Sequence, residues 1–339
     1  MATEIVGGRR ACRNQSVAFF LIDFSPRRLK HDYVVMQLIG SHRAITRGDI
    51  MALSIKQIHP CFVGEVAGVD LRRADEDELA QLRAGMDRYG VLVFHDQPMS
   101  NEEQLEFSQR FDGVLHTKTS LSVLEKNRFG SDALTDISNV NDKGELLQDN
   151  DRRRVSSLSN RLWHTDASFQ DPAGRYSMLS CKVVPPVRAD TEYADMYTAY
   201  DTLDDETKAL IEPLRAFHSI VYSRHVLGFE FSEEERGKLP GAVHPLVRVN
   251  PNTGRRSLYL ASHASHIVDW PVPEGRALLR DLTEHATRPE LVYSHEWRPG
   301  DFVIWDNRST MHRGRRFDDK KYRRELRRTT TLDLELATA

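Results

Sequence analysis

From Leu53 the chain alternates apolar and polar positions (Leu53, Ile55, Ile58), a period of two that predicts a strand and places the start of the folded domain near residue 52. The period then lengthens. Leu79, Leu82 and Met86 recur at helical spacing behind Asp75, a natural N-cap, and Gly90 follows; this predicts a helix over 75–88. The all-apolar 91–94 reads as a buried strand. Ser100 with Glu103 forms a capping-box pair ahead of Leu105, Phe107 and Phe111, which predicts a second short helix. Residues 112–160 are polar and weakly periodic. They predict a long loop region with one short strand at 134–140, and loops of that length often cover active sites.

Beyond Leu162 strand signals dominate, at 178–184, 246–249, 257–260, 291–297, 302–305 and 327–334, with helices predicted at 198–214 and 273–288. The turns Pro251-Asn252-Thr253-Gly254 and Arg298-Pro299-Gly300-Asp301 are expected to join neighbouring strands as hairpins, which favours an antiparallel barrel or sandwich over alternating βαβ units. The expected class is mainly β with flanking helices. Neither an internal repeat nor a GxGxxG, Walker or nucleophile-elbow pattern is present.

Composition narrows the function classes. The chain has 339 residues, long enough to bury a large core unaided. Its charged fraction of 29% and its apolar set at 40% suit a soluble globular protein. Three scattered cysteines exclude a disulfide framework or a four-thiolate zinc site and fit a reducing cytoplasm, the expected location. A net charge of −3 argues against a nucleic-acid partner, and no apolar run approaches membrane-spanning length, so no membrane partner is expected. The first fifty residues hold eight lysines or arginines and four acidic residues, a basic lead on an acidic remainder. Residues 1–51 are therefore expected to be an N-terminal extension, disordered or a mis-assigned start, with the functional domain at 52–339.

Candidate chemistry starts at Trp163-His164-Thr165-Asp166. On a strand, residues i and i+2 share a face, so His164 and Asp166 can offer an imidazole and a carboxylate to one cation. With 14 histidines in the chain about one such His-x-Asp arises by chance, so taken alone the motif is weak and a hydrogen-bonded surface pair is the reading that starts ahead. The second segment is Trp305-Asp306-Asn307 with Met311-His312. Two histidines and a carboxylate on a β scaffold leave three positions open on non-haem Fe(II), although zinc also accepts these ligands. The run Arg323-Arg324-Glu325-Leu326-Arg327-Arg328 favours iron with an oxo-acid. As a strand it sends Arg324, Leu326, Arg328 and Thr330 one way and Arg323, Glu325 and Arg327 the other, and an inward guanidinium can grip a dicarboxylate's far end. A solvated basic stripe or phosphate patch is the alternative. His263 and His266 have no carboxylate or thiolate at metal spacing and are expected to be structural.

Taken together, WHTDASFQDPAGRYSMLS, TEYADMYTAYDTL and WDNRSTMHRGRRFDDKKYRRELRRTTTLD resemble the taurine and 2,4-dichlorophenoxyacetate dioxygenase family from about Ile58 to Asp333, and within it the aryloxyacetate dioxygenases. The resemblance implies a double-stranded β-helix (jelly roll) with Fe(II), 2-oxoglutarate as cosubstrate and O2. It implies His164, Asp166 and His312 as metal ligands and catalytic residues, and Arg324 with Thr191 on the distal 2-oxoglutarate carboxylate. Arg328 is implied on the substrate anion, with Asn160, Ser223 and Arg224 in the substrate pocket. The implied reaction converts an aryloxyacetate such as 2,4-dichlorophenoxyacetate into a phenol and glyoxylate, with succinate and CO2, in aromatic compound catabolism. A taurine, alkylsulfonate or other carboxylate dioxygenase is the alternative of the same chemistry, and a metal-free jelly-roll binding protein that of a different class. Phe169, Tyr176 and Tyr222 are expected to enclose the substrate ring. The expected partners are a small-molecule anionic substrate and further copies of the chain in a homo-oligomer. Two departures bear on the site. Arg188-Ala189 replaces the Gly-Gly common before Asp-Thr, which puts the position of Thr191 at issue. One additional residue lies between His312 and Arg324, so a one-residue slip would substitute Arg323.

Overall fold

Val91 and Val93 lie in one apolar cluster and Leu92 and Phe94 in another, because successive strand residues point to opposite faces. A strand apolar on both faces has to be covered on both. The computed structural model describes residues 52–117 and 128–334; the expectations for 1–51 lie outside the described residues. In chain order the strands begin with β1 (Ser54–Gln57), β2 (Gly64–Ala67), β3 (Val91–Phe94), β4 (Thr135–Ser138) and β5 (Gly174–Val183). They continue with β6 (Thr191–Asp195), β7 (Arg215–His218), β8 (Ala242–Pro245), β9 (Val247–Val249) and β10 (Arg256–Leu258). The last are β11 (Ala264–Ile267), β12 (Val292–His295), β13 (Phe302–Asp306), β14 (Thr310–Gly314) and β15 (Glu325–Leu332). The helices are α1 (Glu76–Tyr89), α2 (Asn101–Asp112), α3 (Arg152–Ser157) and α4 (Met196–Asp201), then α5 (Asp205–Ile211), α6 (Ile220–His225), α7 (Glu233–Gly237) and α8 (Val272–Ala286).

Seven strands form the main sheet, in the order β1-β2-β3-β13-β5-β15-β4, antiparallel apart from the β2–β3 pair. One face is covered by α1 and α2, whose Leu79, Leu82, Met86, Phe107 and Phe111 pack on Leu92, Phe94, Met178 and Ile304. Fully burying each such side chain contributes roughly 1.5–3 kcal/mol. The other face carries Val91, Val93, Leu179, Val303, Trp305 and Leu326, which pack against Tyr193 of a three-stranded sheet ordered β12-β6-β14. Ala194 and Met311, alternating with Tyr193 and His312, turn the outer face of that small sheet toward Leu279 and Leu282 of α8. His312 thus points into the space between the sheets because of the pleat. No helix among the described residues is long and apolar enough to cross a membrane.

The capping boxes form as expected, Asp75 with Glu78 and Ser100 with Glu103. Gly90 ends α1 at φ 67°, where a side chain would meet Ser309 and Thr310 at 3.3 Å. Three expectations are corrected. The helix predicted over 198–214 breaks into α4 and α5, because the Asp204 side chain accepts from the Thr207 N–H at 2.7 Å and starts a new helix. The polar 112–160 region contains α3, capped by Asp151. The turn 298–301 does not make a hairpin. β12 pairs with β6 and β13 with β3 and β5, so the turn carries the chain from the small sheet to the main one, stabilised by Asp301 Oδ2 accepting from Arg298 N–H at 2.9 Å. The Pro251–Gly254 turn does join the hairpin pair β9–β10.

Candidate active site

His164 and His312 meet through their backbones. Each donates its N–H to the other's carbonyl, at 3.0 and 2.9 Å. This is a one-residue bridge, not the strand expected for 164–166: Asp166 opens a turn in which Ala167 takes φ 54°. Asp166 gives its N–H to Asn307 Oδ1 at 3.1 Å, where a strand would use a neighbour's carbonyl. The side chains converge nonetheless. Asp166 oxygens lie 3.8 Å from His164 Nε2 and 3.6 Å from His312 Nε2, and one ligand atom from each residue falls within 4.8 Å of the others.

All three residues are buried. Burial pushes both imidazoles below their ordinary pKa, which keeps them neutral with a lone pair to offer. His164 Nδ1 lies 2.8 Å from the Leu162 carbonyl, which only a protonated Nδ1 can satisfy, so Nε2 is left unprotonated. Burial opposes ionisation of Asp166, but the Arg328 guanidinium and the hydrogen bond from Ser177 outweigh it and hold the carboxyl below the usual carboxylate range. Two neutral imidazoles and a carboxylate on one side of a cation suit Fe(II) with open positions.

A small cavity of about 30 Å³ adjoins the cluster, lined by Asn160, His164, Thr191, His312, Arg324 and Arg328 among others. Arg324 reaches it and donates to Thr191 Oγ1 at 3.3 Å. It forms no ion pair with a carboxylate among the described residues. Burial lowers its pKa to about 10. Arg323 points away and pairs with Glu325. Thr191 also accepts from Trp297 Nε1 at 2.9 Å. Neither Arg188 nor Ala189 takes a positive φ, so the missing glycines do not displace Thr191 from Arg324.

Arg328 faces the same side and its Nη1 donates to Asp166 Oδ1. Arg224, on α6, is buried, and among the described residues its guanidinium bonds only hydroxyls: Ser223 Oγ at 3.3 Å and Ser156 Oγ at 3.4 Å. Burial and the nearby Arg328 lower its pKa to about 10. Of the three expected ring-enclosing residues, Phe169 packs edge-on against His263 at 5.0 Å between ring centroids, and His263 in turn stands edge-on to His164. Tyr176 lies away from the cluster. It belongs to the opposite face of β5 from Ser177 and packs on Phe111 under the helices. Tyr222 lies under the Arg276 guanidinium.

Sequence reading missed two contributors, Ser177 and Asn307. His263 is buried beside His164, its Nδ1 2.9 Å from Ser223 Oγ; His266 instead bonds Ser265. Ser177 and Asn307 contact Asp166. Asn307 was visible within Trp-Asp-Asn, but nothing in spacing tied it to a residue 141 positions away.

The family model "Taurine catabolism dioxygenase TauD, TfdA family" matches residues 54–330. The chain is 45% identical to the alpha-ketoglutarate-dependent 2,4-dichlorophenoxyacetate dioxygenase of Cupriavidus pinatubonensis, over 84% of this chain and 99% of that protein. It is 34% identical to the (S)-phenoxypropionate/alpha-ketoglutarate-dioxygenase of Sphingobium herbicidovorans, over 79% of this chain and 91% of that protein. The crystal structure of AAD-2 in complex with Mn(II) and N-oxalylglycine superposes with a TM-score of 0.77 at 44% identity, covering 84% of this chain and 98% of that one.

Proposed function

The chain belongs to the taurine catabolism dioxygenase TauD, TfdA family, and from that membership we propose that it is an Fe(II)- and 2-oxoglutarate-dependent dioxygenase of aryloxyacetates such as 2,4-dichlorophenoxyacetate. The facing sheets are read as its double-stranded β-helix and residues 52–339 as its catalytic domain, with 1–51 an extension. The observation that carries the reading is the convergence of two neutral histidines and an ionised Asp166 beside two arginines, Arg324 and Arg328, that line one cavity.

In this reading His164 Nε2, His312 Nε2 and the Asp166 carboxylate hold the metal. Arg324 and Thr191 take the distal carboxylate of 2-oxoglutarate, which supplies the ion-pair partner that Arg324 lacks among the described residues. When bound, iron and 2-oxoglutarate supply the chemistry in which O2 oxidises 2-oxoglutarate to succinate and CO2 and a substrate C–H becomes C–OH. Arg328, Arg224, Ser223 and Asn160 orient the substrate carboxylate, and Phe169 lies against its ring, so the methylene is presented to the metal and water is kept out. Hydroxylation of that methylene gives a hemiacetal, which releases a phenol and glyoxylate.

The aromatic Phe169 favours an aryl acid over taurine, whose short chain would leave that wall uncovered. The test is anaerobic titration with Fe(II) and 2-oxoglutarate, followed by O2 and a substrate panel. Succinate and phenol release from aryloxyacetates is expected. Taurine turnover without phenol release would transfer the assignment to the sulfonate branch, and absence of Fe(II) uptake would favour a metal-free binding protein.

A further inference from the structure

Asn307 and Ser177 lie behind Asp166, both buried, and neither lines the cavity at the cluster. Asn307 Oδ1 accepts two N–H groups, from the Asp166 backbone at 3.1 Å and from Trp305 Nε1 at 3.1 Å. With both donors on that atom, the amide has one orientation, and its Nδ2 faces Ser177 Oγ at 2.9 Å. Ser177 therefore receives a proton from Asn307 and has its own to give. Its acceptor is Asp166 Oδ2 at 2.8 Å. Thr330 Oγ1 stands on the other side of Ser177 Oγ at 3.0 Å and can donate to it through its own hydroxyl. The other Asp166 oxygen is held by Arg328.

We propose that Asn307 and Ser177 are positioning residues for the metal site: Asn307 orients the Ser177 hydroxyl, and Ser177 fixes the plane of the Asp166 carboxylate. The inference rests on the proposed metal site and adds to it a route by which residues remote from substrate set metal affinity. The geometry has a strand-level origin. Ser177 on β5 pairs with Trp305 on β13 and with Thr330 on β15, so three adjacent strands carry the group, and it is as rigid as the sheet. A carboxylate free to rotate would need to be ordered each time metal binds; one already held by hydrogen bonds at both oxygens does not.

The test measures Fe(II) affinity anaerobically, by calorimetry on the metal-free protein, and records the visible absorption of the Fe(II)–2-oxoglutarate complex, neither of which requires turnover. Ser177→Ala removes the donor to Asp166 and leaves the Asn307 contact to the Asp166 N–H. Loss of a hydrogen bond to a metal ligand typically costs about 10–100-fold in metal affinity, so Fe(II) Kd should rise at least tenfold, with a shifted absorption maximum. Asn307→Ala should do likewise. Because one residue acts partly through the other, the double variant should weaken binding by less than the product of the two single effects. A purely structural role would lower the thermal midpoint of the metal-free protein and leave Kd and the absorption unchanged. Wild-type Fe(II) affinity in a folded Ser177→Ala variant, or strictly multiplicative effects, would overturn the inference while leaving the metal site standing. A wild-type chain that binds no Fe(II) would overturn both.

Discussion

Arg328 donates to Asp166, the carboxylate that His164 and His312 face. The residue assigned to the substrate anion is therefore tied to the metal cluster. In the proposed reading a substrate carboxylate at Arg328 would lie beside the metal ligands, and Arg224, whose guanidinium has only hydroxyl partners among the described residues, would add a second positive charge.

Removing that anchor should be felt by the substrate first. Arg328→Ala is expected to lower kcat/KM for an aryloxyacetate more than tenfold, because truncating one member of a buried charge pair costs roughly 2–5 kcal/mol. Because Arg328 also holds Asp166 Oδ1, Fe(II) is kept saturating, and under that condition the KM for 2-oxoglutarate should change far less. Steady-state kinetics with both substrates varied checks this, and an unchanged aryloxyacetate constant would move the anchor to Arg224.

Arg324 and Arg323 are adjacent in sequence and opposite in fate. Arg324→Ala should raise the 2-oxoglutarate requirement at least tenfold, since a charge-assisted pair is lost. Arg323 is half exposed and bonded to Glu325, so Arg323→Ala should leave that requirement near wild type. A reversed pattern in 2-oxoglutarate titrations would show the register to be off by one.

How much of this was legible in the sequence depends on the range of the interaction concerned. The caps at Asp75 and Ser100 are local, and they form as their spacing predicts. The split between Arg328, facing Asp166, and Arg327, facing Glu325 and Asp136, follows from the strand period alone. Gly300 made the turn at 298–301 legible, but not its destination, because sheet membership is decided by which neighbours β12 and β13 find. Tyr176 was misplaced for the same reason: an aromatic near the motif is inside or outside the site according to one step of the pleat. Ser177, one residue on, carries no motif signal of its own and touches Asp166.

Acid should weaken the fold through its buried imidazoles. His244 is pushed down to about 4, chiefly by burial and then by Arg248, so the native state favours its neutral form. The stability this represents is fully present above pH 6.5 and is lost as pH falls toward 4, a change on the order of 3 kcal/mol. His218 and His263, also buried and lowered, act in the same direction. Asp112, whose carboxyl burial raises to about 6, acts in the opposite direction over the same range, so urea denaturation of the metal-free protein between pH 6.5 and 4.5 reads a net slope to which His244 contributes a declining part. His244→Gln, which can still donate to the Gln170 carbonyl that His244 Nε2 now contacts at 3.1 Å, should flatten part of that slope. An identical slope in the variant would remove His244 from the account.

Substrate preference provides the sharpest contrast between neighbouring aromatics. Phe169 packs against His263 and the apolar group of Ile220, Phe229, Phe231 and Leu239, so it joins the cluster beside His164 to an apolar interior. A phenoxy ring inserted there exchanges water for hydrocarbon contact. Phe169→Ala removes that wall and should raise the KM for 2,4-dichlorophenoxyacetate several-fold or more, as expected when most of an aromatic contact worth roughly 1.5–3 kcal/mol is lost. The KM for 2-oxoglutarate, which the proposal assigns to Thr191 and Arg324, should hardly move, and uncoupled succinate formation should increase as the methylene is held less firmly. Tyr176→Phe is the control. Its hydroxyl faces Arg308 at 3.5 Å on the helix-covered side of the sheet, so it should alter stability without altering either KM. Equal responses of the two variants in substrate KM would show that Phe169 acts only as core, and the aryl pocket would then have to be sought on another wall of the site.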